Sequence, residues 1–241
     1  MSAISVVART SLLRASRRPS TWGLAAVAFV PALIGGALGA AGYGALGAAA
    51  PLASWVAAPL LAISLVAGVV GESFERRTMV YWFTRPVPRW SVIVGEFVAN
   101  ALLCALILGL AGMLLAVAYA LTGDATVGAL LRIPLAFALE GVGLAGLALG
   151  VGVLTPKHPV VVAAAILLVV EGALPNLVAG FKYVSLFAHV GWLAGVEGLV
   201  TEAATGHVSA PPWPVSLTVV LLYAAAPTFL ATRVAEARDL A

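Results

Sequence analysis

No charged residue occurs between Pro19 and Gly71 of this chain. A domain folded in water cannot leave so long a stretch uncharged, because its surface needs polar groups and about a quarter of its residues usually carry charge. Here Asp, Glu, Lys and Arg make up 10% of 241 residues, and hydrophobic residues make up 62%. The solvent for most of this chain is therefore lipid. Crossing a hydrocarbon core of ~30 Å takes about 20 apolar residues in a helix. The uncharged stretch holds two such crossings, about Trp22–Ala41 and Leu52–Gly71, with a turn rich in Gly, Ala and Pro between them. Four more follow, near Val92–Leu121, Thr126–Leu154, Val160–Pro175 and Val215–Thr232. These runs are continuous rather than alternating, which favours helices over the strands of a barrel. The expected fold is all-α, a single polytopic bundle of six transmembrane helices over residues 1–241.

The flanks of the spans give an orientation. Basic residues precede Trp22, as in a cleaved signal, but that segment is long and equally apolar spans follow it, so a retained first span is expected. Lys and Arg cluster on the cytoplasmic side of membrane proteins. Arg9, Arg14, Arg17 and Arg18 precede the first span, and Arg76, Arg77, Arg85 and Arg89 separate the second from the third. Lys157 lies between the fourth and fifth, and Arg233 and Arg238 follow the sixth. Six crossings put all of these on one side and leave Arg132 and Lys182 opposite. Both termini are then expected in the cytoplasm of a cell with the chain in its inner (cytoplasmic) membrane.

Asn176–Pro214 fits this scheme least easily. Tyr183–Val200 is apolar enough to suggest a seventh crossing, but His189, Glu197 and glycines interrupt it. A seventh crossing would also move Arg233 and Arg238 outside, so residues 176–213 are expected to form short external or re-entrant helices. Glycines recur at the small-xxx-small spacing that lets helices approach closely in lipid: Gly35 with Gly39, Gly146 with Gly150, Gly191 with Gly195. Chance pairs are expected among 25 glycines. The denser run Gly141, Gly143, Gly146, Gly150 and Gly152 points to a packed interface.

The stretch Gly71–Phe97 reads GESFERRTMVYWFTRPVPRWSVIVGEF. Charged residues at a helix end lead into the aromatic cluster Tyr81, Trp82 and Phe83, after which Pro86 and Pro88 prevent a regular helix. Ser91 can cap the start of the third span. A short helix lying flat on the membrane and followed by a rigid turn could dock another protein. An ordinary interfacial loop, with aromatics and arginines at headgroup level, fits the same residues. Near the N-terminus, Ile4, Val7, Ala8, Ser11, Leu12 and Ala15 form a stripe at helical spacing, with Arg9 and Arg17 elsewhere.

The Gly71–Phe97 stretch resembles the loop between the second and third spans of ABC type-2 transporter permeases. The matching residues are Glu72, Glu75, Thr78, Arg85, Pro86, Val87, Arg89 and Gly95; Arg77 stands where that family usually has Gly, and Glu96 where it has Lys. The motif covers about a tenth of the chain, and the six-span layout, basic N-terminal segment and long last external segment extend the similarity. The resemblance implies a coupling helix within residues 72–90, seated on a separate ATPase subunit through Glu72, Glu75, Arg76, Thr78, Arg85, Pro86 and Arg89. It also implies an interfacial connecting helix within residues 1–20, where a solvated basic tail is the alternative. The implied assembly is an exporter of two permease copies and two ATPase copies, with ATP and Mg on the ATPase and no cofactor in this chain.

The remaining chemistry is sparse. A P-loop needs a lysine after glycine and before Ser or Thr, and neither Pro156-Lys157-His158 nor Phe181-Lys182-Tyr183 fits. ATP binding by this chain is not expected. Glu140 and Glu171 fall inside spans, where ionisable groups are costly and mark function by default. They could line a polar path, remain protonated, or bond a neighbouring helix. His158, His189 and His207 are scattered, so no metal site is expected, and no nucleic-acid partner. A membrane scaffold, an intramembrane enzyme and a secondary transporter remain the alternatives to a permease.

Overall fold

The computed structural model describes residues 2–41, 49–75, 87–121, 127–196 and 209–237, without the side chains of 72–75 and 179. Among these residues there is no strand, and six helices are long and apolar enough to cross a membrane. A short helix α1 (Ala3–Ser16) comes first, its N-terminus capped by Ser2, which accepts from the Ser5 N–H. The crossings are α2 (Pro19–Ala40), α3 (Ala49–Gly71), α4 (Arg89–Leu121), α5 (Val127–Leu154), α6 (Pro159–Leu177) and α8 (Trp213–Ala237). Between the last two lies α7 (Leu186–Ala194). The all-α bundle and its six spans agree with the apolar runs of the sequence.

Helix α5 stands at the centre, with 78% of its apolar window buried inside the protein against 22% for α6 and 33% for α8. Its glycines explain how. A Cβ on Gly141 would lie 2.8 Å from the carbonyl carbon and oxygen of Cys104 on α4. On Gly150 it would lie 2.6 Å from the Cβ of Pro227 on α8, and on Gly146 it would overlap the backbone of Ala224. Gly152 faces Ala67 and Val70 of α3, and Gly143 faces Leu186 of α7. One glycine-rich helix thus meets α3, α4 and α8 nearly backbone to backbone and receives a side chain of α7. In lipid, where no hydrophobic force pushes helices together, such close contact is the main source of packing energy.

Two helices depart from regular α geometry. α3 contains π-helical turns at Leu52–Ala57 and Ile63–Ala67, and α6 contains one at Leu167–Ala173. Such turns often mark functional sites within helices.

Two local expectations are corrected. The third long helix starts at Arg89, ahead of Val92, so Ser91 lies inside its first turn. The Ser91 hydroxyl donates back to the Pro88 carbonyl (2.7 Å) rather than accepting from a free N–H, and so it is not the cap. Within the Gly191–Gly195 spacing, Gly195 closes a helix end rather than a helix crossing. Gly195 takes φ 68°, its N–H returns to the carbonyls of Gly191 and Trp192, and the Val196 N–H bonds the Gly191 carbonyl. That left-handed cap is open to glycine at little steric cost. The tempting seventh span, Tyr183–Val200, contains a helix of 9 residues. At 1.5 Å per residue this is about 14 Å, half the hydrocarbon thickness. It follows a 3-10 turn at Ala179–Tyr183, and residues 197–208 lie outside the described ones.

Candidate functional site

The loop that carries the family resemblance is described only at its two ends. Helical backbone continues from Gly68 to Glu75 and so includes Glu72 and Glu75. Arg76, Thr78, Arg85 and Pro86 lie outside the described residues, as do Arg77 and the Tyr81–Phe83 cluster. Arg89 opens α4, and its Nη1 donates to the carbonyls of Ala235 (3.5 Å) and Glu236 (3.4 Å) at the end of α8. A cation there meets the negative end of the helix dipole. The exit of the loop is thereby tied to the last span.

The N-terminal stripe faces the bundle. Val7 and Ser11 are buried, Ile4, Ala8, Leu12 and Ala15 are half-buried, and Arg9 is exposed. Two features fasten α1 to α4. A Cβ on Gly95 would lie 2.7 Å from the Val7 Cβ, so glycine alone fits that crossing without a shift. One residue later, Glu96 accepts a 2.6 Å hydrogen bond from the buried Ser11 hydroxyl. Arg14 and Arg18 act electrostatically on the same carboxylate, and with Ser11, Glu96 and Asn100 they help line a cavity of about 30 Å³. That volume suits a single water among polar partners. Glu96, which departs from the lysine usual at this position, thus has a local use: it bonds the N-terminal helix.

Glu171 lies in the π-helical turn of α6 and is buried, 5% exposed. Four donors reach its carboxyl group. Ser185 Oγ (2.6 Å) and the Phe187 N–H (3.1 Å) donate to Oε2; the Leu186 N–H (2.9 Å) and the Tyr223 hydroxyl (2.5 Å) donate to Oε1. Ser185 itself caps α7 by accepting from the Ala188 N–H at 3.2 Å. Glu171 therefore sits on the N-terminus of α7, where free N–H groups and the helix dipole favour a carboxylate. A carboxylate has about four lone-pair sites, and all four are used. Of the readings open in sequence, a bond to a neighbouring helix is the one found here.

The same short helix is held from its other side. His189 is fully buried; its Nε2 lies 2.9 Å from the Tyr183 carbonyl and its Nδ1 3.0 Å from Ser216 Oγ on α8. A carbonyl only accepts, so Nε2 carries the proton and Nδ1 accepts from Ser216. Burial lowers the His189 pKa below the ordinary histidine value, which keeps the ring neutral.

Glu140, in the middle of α5, is 0% exposed. Ser54 Oγ, in the first π-helical turn of α3, donates to Oε1 at 2.6 Å. Oε2 is enclosed and has no partner, and neither has the indole N–H of Trp55 on the next residue of α3. Among the described residues no three His, Cys, Asp or Glu come together as metal ligands. Sequence reasoning missed Ser54, Ser185, Ser216 and Tyr223, and it placed Ser11 on the α1 stripe without its acceptor. Hydroxyl residues are common in spans, and the bonds to glutamate join positions 14 to 86 residues apart. The usable signal was the converse one: each carboxylate buried in lipid must have a donor somewhere.

Six apolar crossings, one of them the glycine-rich central helix, with polar groups turned inward, define a multi-pass membrane helix bundle. The chain belongs to the ABC-2 transporter family: the family model described as ABC-2 family transporter protein matches residues 53–239. It is thus a permease subunit of an ABC transporter. No curated protein matches the chain.

Proposed function

We propose that this chain is the transmembrane half of an ATP-driven exporter, working as a dimer with two copies of a separate ATPase subunit that bind ATP and Mg. The observation that carries this reading is the family match over 53–239, which takes in the whole second-to-third-span loop. Two features support it. The Arg89 bond to the end of α8 gives a movement of the loop a direct route to the last span. Placing 11 of the 13 Lys and Arg residues inside puts the loop, α1 and both termini on the cytoplasmic face of the inner membrane, within reach of an ATPase.

In this reading Glu72–Arg89 docks on the ATPase, with Glu75, Arg76 and Arg85 as polar contacts, Glu72, Thr78 and Pro86 shaping the surface, and Tyr81–Phe83 as its apolar anchor. Charge pairs at a desolvated interface cost about 2–5 kcal/mol to break singly. The test is recovery of ATP-hydrolysing activity with the affinity-tagged full chain from its native membrane. Glu75→Arg and Arg85→Glu are expected to lower recovery at least tenfold at unchanged membrane insertion, and Arg238→Glu to leave it unchanged. Full recovery with both loop variants would reduce the loop to an interfacial turn.

A further inference from the structure

The two oxygens of Glu140 have different surroundings. Oε1 receives the Ser54 hydroxyl, and Oε2 is enclosed without a partner. Glu140 is enclosed, and a close helix crossing lies beside it, where Gly141, the next residue, meets the Cys104 backbone. Among the described residues no cation acts on this carboxyl group. Titratable groups on the packed elements are Arg89, Glu96, Cys104 and Tyr119 of α4, Glu171 of α6, His189 of α7, and Tyr223, Arg233 and Glu236 of α8. Of these, Glu171 bears electrostatically on Glu140, and its sign is the same. Arg132 of α5 itself lies two turns away along the helix.

An ionised Glu140 would leave half its charge unbonded, out of water and near another carboxylate, at a cost of several kcal/mol. The neutral acid keeps the Ser54 bond and leaves only one hydroxyl unsatisfied, at about 1–3 kcal/mol. We propose that Glu140 is a proton-binding site at the centre of the bundle. It holds a proton while the helices are closed around it and exchanges that proton with water when they part. On release the O–H bond breaks, its electron pair stays on the carboxylate, and the proton passes to water. The π-helical turn that carries Ser54 is the adjustable wall of the site, since such turns are irregular insertions in an α-helix. This inference needs the bundle alone and stands apart from the ATPase reading.

The experiment is infrared difference spectroscopy on the purified full chain in lipid nanodiscs, following the carbonyl stretch of protonated carboxyl groups. At neutral pH one component is expected to disappear in Glu140→Gln. Ser54→Ala is expected to move that component to higher frequency, because its carbonyl loses a hydrogen bond, and this serves as the second readout should Glu140→Gln fold poorly. In D2O the component is expected to shift down at a rate set by opening of the bundle. The proposal is overturned if no component is lost in Glu140→Gln, or if Ser54→Ala leaves the spectrum unmoved. A band still at its protium frequency after solvent-exposed amides have exchanged would show a sealed acid and would equally overturn the exchange site.

Discussion

The two glutamates inside the membrane spans differ less in burial than in company. Glu171 collects two hydroxyls and two backbone N–H groups, and in doing so joins α6, α7 and α8. Glu140, fully enclosed, collects one hydroxyl. The first arrangement satisfies both carboxyl oxygens and holds a short helix in place; the second leaves a polar atom without a partner in the closed bundle. An ionisable residue in lipid is a functional candidate by default, and counting donors separates the candidate that fastens the fold from the one still free to act.

The largest effect is expected where the carboxylate is fully used. Glu171→Ala leaves two N–H groups of α7 and the Tyr223 and Ser185 hydroxyls without their acceptor, and should destabilise the bundle by several kcal/mol, at about 1–3 kcal/mol for each donor left buried. Reversible unfolding in bicelles would measure it; a loss under 1 kcal/mol would mean that Glu171 does not anchor α7. Next comes Tyr223→Phe, which removes one bond to a charged acceptor and should cost about 1.5–3 kcal/mol. A double-mutant cycle with Glu171→Ala should then show strong coupling. The smallest effect is expected at the other glutamate. Ser54→Ala takes away the single partner of a neutral acid and should cost about 0.5–1.5 kcal/mol. A cost near that of Glu171→Ala would mean that Glu140 is charged, and the contrast between the two sites would collapse.

The α1 stripe shows what periodicity can deliver. Ile4, Val7, Ala8, Ser11, Leu12 and Ala15 are all turned toward the bundle, because helical spacing puts them on one face whatever that face meets. The stripe did not disclose Glu96 as the acceptor for Ser11, nor Val7 as the neighbour of Gly95. Both depend on the angle at which α1 crosses α4. Likewise the glycine run of α5 announced a packed interface, while its four different neighbours emerged only in the assembled bundle.

The sequence alone determined the class of the molecule, because the length of an uncharged run against the thickness of a bilayer is a local property. It placed six crossings within a few residues of the observed helices. Tertiary structure decided what the buried polar groups do. A carboxylate withdrawn from water must find donors, but nothing in a linear sequence says whether Glu171 finds Tyr223 or Glu140 finds Ser54, 52 and 86 residues away. Those pairings follow from how closely glycine lets the helices approach and from where the π-helical turns rotate their faces.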